Sequence, residues 1–180
     1  PAHAALTTGT RDADCAGCHR EQLAAAVLHG PVAAGSCSAC HVAPPAGRLG
    51  PMTLAKGATR DNTAPLCVGC HEDVGAQLKE ARVHGPVASG DCTSCHDAHG
   101  SAFPLFLSAS RRDSCRRCHE EVAAALGEAP PHDPAAAGCG TCHDPHASAH
   151  PAQLREAGNG LCRACHVGQP AAVAAGRAPS

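Results

Sequence analysis

The sequence predicts mostly irregular coil with short α-helices and little or no β-structure, wrapped around a core that the polypeptide does not itself supply. Three observations lead there. Large side chains are nearly absent: aromatic residues make up 1% of the 180, namely Phe103 and Phe106, and much of the 43% apolar share is Ala and Cys. Nineteen glycines and fifteen prolines interrupt any long element. Fourteen cysteines and fourteen histidines replace the missing bulk. Big apolar side chains provide most of the burial energy in an ordinary core, and without them a chain does not offset its ordering entropy. A cysteine content near the disulfide-scaffold range then requires a covalent or metal framework, and the spacing of the cysteines decides which.

The length suits one domain, residues 1–180. A net charge of -2 provides no basic footprint for nucleic acid. No apolar run approaches the roughly 20 residues that span a bilayer. The chain starts at Pro1 without a signal-like apolar region, so the expectation is the mature form of an exported protein, extracellular or periplasmic.

All fourteen cysteines fall in C-x-x-C pairs, and His follows each pair at once. The segments are Cys15, Cys18 and His19; Cys37, Cys40 and His41; Cys67, Cys70 and His71; and Cys92, Cys95 and His96. Cys115, Cys118 and His119, then Cys139, Cys142 and His143, then Cys162, Cys165 and His166 complete the set. C-x-x-C-H is the c-type haem attachment pattern. Two thiols at this spacing reach the two vinyl groups on one side of a porphyrin, and the next residue lies under the iron as an axial ligand. A disulfide within C-x-x-C needs no following His, and zinc knuckles do not demand it every time. Seven such histidines by chance has a probability on the order of 10⁻⁸. The expected cofactors are seven covalently attached haem c groups, which also provide the large flat apolar surfaces that the sequence lacks.

Seven histidines remain, one per haem: His3, His29, His84, His99, His132, His146 and His150. His29, His84 and His132 recur at one place, 8, 8 and 7 residues before the next cysteine. Ahead of them "REQLAAAVL", "EDVGAQLKEARV" and "EEVAAALGEA" read as short helices, with acids near the start and Ala, Leu and Val at helical spacing. The following "GPV" or "DP" ends each helix. Each of these histidines therefore caps a haem from a turn, and His84 is expected to serve the motif just upstream. His99 and His146 lie three residues beyond a proximal His, too near to reach round their own haem, so each serves a neighbour. After His41 comes "VAPPAGRLGPM", with no such histidine, and the haem left short there calls on His3 or His150. His150 aligns with Phe103, and the lone Met52 falls at a packing position rather than an axial one.

The unit "HGPVASGDCTSCHDAHGSAFPLFLSASRRDSCRRCHEE" resembles the doubled C-x-x-C-H unit of multihaem c-type cytochromes. Repeats cover 29–71, 84–119 and 132–166, after a segment 1–28 with a lone motif and before a tail 167–180. The resemblance implies bis-histidine low-spin haems in stacked and perpendicular pairs forming a wire. Relatives of this kind are periplasmic carriers, electron conduits and subunits of extracellular filaments.

Two protein ligands on every iron leave no open position for substrate, so the expected activity is electron transfer and not enzymatic catalysis. Seven oxidised haems with ionised propionates would take the charge to about -9, with Arg111, Arg112, Arg116, Arg117 and Arg155 as neutralising partners. Expected partners are other redox proteins or extracellular electron acceptors. The irregular His3 and the Ala-, Gly- and Pro-rich tail also point to self-association into a filament.

Overall fold

The computed structural model describes residues 12–43, 52–126 and 138–167. Its contacts divide the chain into two compact units. The first takes residues 1–72 and 89–114 and carries four C-x-x-C-H motifs; the second takes 73–88 and 115–180 and carries three.

The predicted architecture is present. Short helices and coil dominate, and the longest described helices, Asp12–Cys18 and Glu120–Leu126, have seven residues. Helices of this length are marginal in water and form only where something holds them. None of the described helices is long and apolar enough to cross a membrane.

The expected helices are shorter than the sequence pattern suggests. The first is a single 3-10 turn, Arg20–Leu23, and the second stops at Gln77. Their ends are drawn out as strands instead: Val27–Leu28 (β1) before His29 and Arg82–Val83 (β4) before His84. The remaining strands are His41–Val42 (β2), Thr53–Leu54 (β3), Gly100–Ser101 (β5) and Ala147–Ser148 (β6). β1 pairs with β5, β2 with β3 and β4 with β6, all antiparallel. Two residues per strand carry no alternation, which is why periodicity does not reveal them. The Gly-Pro punctuation also behaves differently from expectation. "GPVA" forms a helical turn of its own at Gly30–Ala33 and again at Gly85–Ala88, with Pro31 in the first turn, where its missing N–H costs nothing.

The polypeptide has almost no core. Among the described residues the buried side chains are Ala58, Ala147 and Thr63, and no large side chain is fully buried. Thr63 is held by the carbonyl of Gly90, which accepts from its N–H at 2.8 Å and its hydroxyl at 3.2 Å.

The β1–β5 rung is tight. A Cβ on Gly100, whose φ is +153°, would stand 2.5 Å from the Val27 carbonyl oxygen and 3.0 Å from the Leu28 Cα. Both are backbone atoms that cannot swing aside. Gly100→Ala is therefore expected to destabilise the holoprotein by about 1–3 kcal/mol in denaturant unfolding. Gly17, which has open space around it, should accept Ala without that loss.

Candidate haem-attachment sites

Each motif is one turn of helix. The His backbone N–H donates to the carbonyl of the first Cys in six of the seven, at 2.9–3.1 Å for His19, His71, His96, His119, His143 and His166. This i to i+4 closure puts the two cysteines on one side and the imidazole at the turn's end. None of the fourteen cysteines is in a disulfide.

Three proximal histidines have the ring of a spare histidine opposite them. His29 lies against His71 with centres 5.9 Å apart and planes 18° from parallel. His99 lies against His41 at 5.9 Å and 7°, and His84 against His119 at 6.0 Å and 24°. A metal–imidazole bond is about 2 Å and the ring centre lies about 1 Å beyond the nitrogen, so two rings on one iron have centres about 6 Å apart. The three pairs fit that requirement. Phe106 packs edge-on against the His29 ring at 5.3 Å.

The ring tautomers fit as well. His29 Nδ1 lies 3.1 Å from the carbonyl oxygen of Ala98, and His84 Nδ1 3.1 Å from that of Pro145. His96 Nδ1 meets the Leu105 carbonyl at 2.8 Å and His143 Nδ1 the Ala152 carbonyl at 2.7 Å. A carbonyl only accepts, so each Nδ1 carries the proton and each Nε2 holds the lone pair a metal requires. Burial, and then the cationic forms of His99 and His19 close by, push His41 below the usual imidazole range and favour its neutral, ligating form.

The spare histidines are placed by backbone. His29 N–H donates to the His99 carbonyl at 3.0 Å, and His84 N–H to the His146 carbonyl at 2.9 Å, extending the β1–β5 and β4–β6 rungs. The Asp inside "CHDAH" and "CHDPH" makes an Asx turn. Asp97 Oδ1 accepts from His99 N–H at 2.9 Å and Asp144 Oδ1 from His146 N–H at 3.0 Å. His146 Nδ1 reaches Gln77 Oε1 at 3.1 Å. His150 sits ahead of the turn Pro151–Gln153, its N–H donated to Ser148 Oγ at 3.0 Å. His3 and His132 lie outside the described residues.

Two expectations change here. His84 faces the fifth motif and not the one just upstream: its ring lies against that of His119, and β4 pairs with β6. The histidine absent after His41 leaves no shortage there, since His99 of the next repeat stands opposite His41.

First cysteines of successive motifs meet. Cys15, Cys37 and Asp12 have ligand atoms all within 4.8 Å of one another. Asp12 is positioned by Ser38, whose N–H and hydroxyl donate to it at 2.8 and 3.0 Å. Cys67 donates to Cys92, which lowers the Cys92 thiol to about 6 and raises Cys67. Cys40 is raised by burial and then by Cys70. Sequence reasoning missed Asp97, Asp144, Phe106 and the carbonyls of Leu105 and Ala152. The "CHDxH" spacing was a legible sign of the first two.

A family model described as the doubled CXXCH motif matches the chain three times, over residues 29–76, 84–124 and 132–171. A search of curated proteins finds no match.

Asp97→Ala removes the Asx acceptor and should cost about 1 kcal/mol in unfolding followed at the haem absorption, while Asp97→Asn, which keeps the acceptor oxygen, should retain most of that stability.

Proposed function

The chain belongs to the doubled CXXCH motif family and is a multihaem c-type cytochrome, and from that premise we propose that its seven C-x-x-C-H segments carry seven haems as one electron-transfer relay. The observation that carries this is the opposition of His29 to His71, His99 to His41 and His84 to His119 at 5.9–6.0 Å. When bound, haem c supplies a one-electron Fe(III)/Fe(II) couple that exchanges electrons with its neighbour without making or breaking bonds.

The chain's own residues do the rest. Proximal histidines and paired cysteines fix each haem to the polypeptide. His29, His84 and His99 would hold the haem irons opposite the proximal histidines, from the turn ahead of a repeat or from the "CHDAH" of the next. Occupying both axial positions excludes substrate and favours a carrier over an enzyme.

Motif order is spatial order in the first unit. Cys15 and Cys37 bring the first two attachment edges together, and Cys67 and Cys92 bring the third and fourth together. His99 and His29, ligands of the second and third haems, are joined by the His29 N–H to His99 carbonyl bond. The contacts link motifs across repeat boundaries and support the reading of a continuous route through four centres.

The site of action is extracellular or periplasmic, in anaerobic respiration. Other redox proteins or extracellular acceptors exchange electrons with it, and copies of the chain associate into a filament. The filament reading draws on His3, for which the repeat plan provides no fixed place, and on the Ala-, Gly- and Pro-rich tail.

The purified protein should have the mass of the chain plus seven haems; fewer would end the seven-centre reading. His99→Ala should convert one haem to a high-spin, carbon monoxide-binding form and leave the others low-spin. A wild-type protein that already binds carbon monoxide or nitrite would favour a reductase. Electron microscopy should show extended polymers, whereas only isolated particles would indicate a discrete carrier.

A further inference from the structure

The turns after the fourth and sixth motifs contain four residues in the left-handed region. Leu105 and Phe106 have φ of 60° and 55°, and Ala152 and Gln153 have φ of 52° and 51°. For residues with a Cβ this conformation is strained, because the Cβ crowds the following carbonyl oxygen. The chain has nineteen glycines, and none is at these positions. The strain also recurs at one register, since Pro104–Phe106 and Pro151–Gln153 have nearly the same entry and exit angles.

What the strain achieves is visible in the bonds. Two successive left-handed residues aim two successive carbonyls at the motif. Leu105 O accepts from His96 Nδ1 at 2.8 Å and Phe106 O from Asp97 N–H at 2.7 Å. Ala152 O accepts from His143 Nδ1 at 2.7 Å and Gln153 O from Asp144 N–H at 2.7 Å. The chain then closes the loop. Ser108 N–H donates to the Cys95 carbonyl, and Arg155 N–H to the Cys142 carbonyl, both at 2.9 Å. Ser101 Oγ braces the first turn by donating to the Leu107 carbonyl at 2.8 Å.

The first repeat provides an internal comparison. Leu54 pairs with His41 as Leu107 does with His96 and Leu154 with His143. Met52 and Thr53 therefore occupy the places of Leu105 and Phe106. Thr53 lies in the extended backbone of β3. Among the described residues no hydrogen bond reaches the His41 ring.

We propose that the left-handed pairs Leu105–Phe106 and Ala152–Gln153 are potential-setting turns, which hold the haems of His96 and His143 at lower potential than the haem of His41. An Nδ1–H donated to a well-aimed carbonyl shifts electron density toward Nε2 and strengthens it as a ligand to ferric iron. Stabilising the ferric form lowers the potential. The backbone supplies this acceptor, so side-chain identity at 105 and 152 matters only through the φ it tolerates. Leu105 and Ala152 are positioning residues, acting through His96 and His143. The inference rests on the haem reading above, because it concerns the ligands of those haems.

The test is a redox titration of the holoprotein followed by nuclear magnetic resonance of haem signals assigned to each motif. In the wild type, the haem at His41 should be reduced before those at His96 and His143. Leu105→Pro, whose ring forbids a positive φ, should move the His96 haem to higher potential, and Ala152→Pro should do the same for His143. Leu105→Gly, which keeps the carbonyl and relieves the strain, should not produce the shift. If the His41 haem is reduced last in the wild type, the proposal is overturned whether or not the proline variants fold. Folded proline variants with unchanged potentials overturn it equally. Loss of six-coordinate haem in the wild type would count instead against the haem reading itself.

Discussion

Opposed imidazole rings with centres 5.9–6.0 Å apart are the constraint on which the remaining structure depends. A chain whose buried side chains, among the described residues, amount to Ala58, Ala147 and Thr63 cannot hold a shape by hydrophobic packing. The order it has is spent on placing rings. β1 and β4 exist to hand His29 and His84 to the "CHDxH" segments of the next repeat, and the Asx turns at Asp97 and Asp144 position His99 and His146. Each opposed pair draws on residues far apart in sequence, so iron bonds to both rings would act as cross-links that the apolar residues could not replace.

Much of this was legible in the chain itself. Seven C-x-x-C-H segments announce the attachment points, and the poverty in large side chains announces the irregular fold. The recurrence of His29 and His84 ahead of a motif, and of His99 just after one, marks them as candidate ligands by position alone. What could not be read is which ring meets which. His84 meets His119 because β4 pairs with β6, a two-residue contact too short to leave a period in the sequence. The same brevity hid the strand ends of the expected helices, and Gly-Pro proved to start a helical turn rather than merely to end one.

The first repeat illustrates the limit. Read alone, "VAPPAGRLGPM" lacks the histidine that its counterparts carry. In three dimensions the counterpart histidine of the next repeat, His99, stands opposite His41.

Density for the holoprotein, by crystallography or electron cryomicroscopy, tests bis-histidine ligation across repeats most directly. Ligation of this kind predicts an iron between His29 and His71, between His41 and His99, and between His84 and His119, each with two imidazole nitrogens about 2 Å away. A water, or any other residue, in the second axial position of one of those three irons would contradict it.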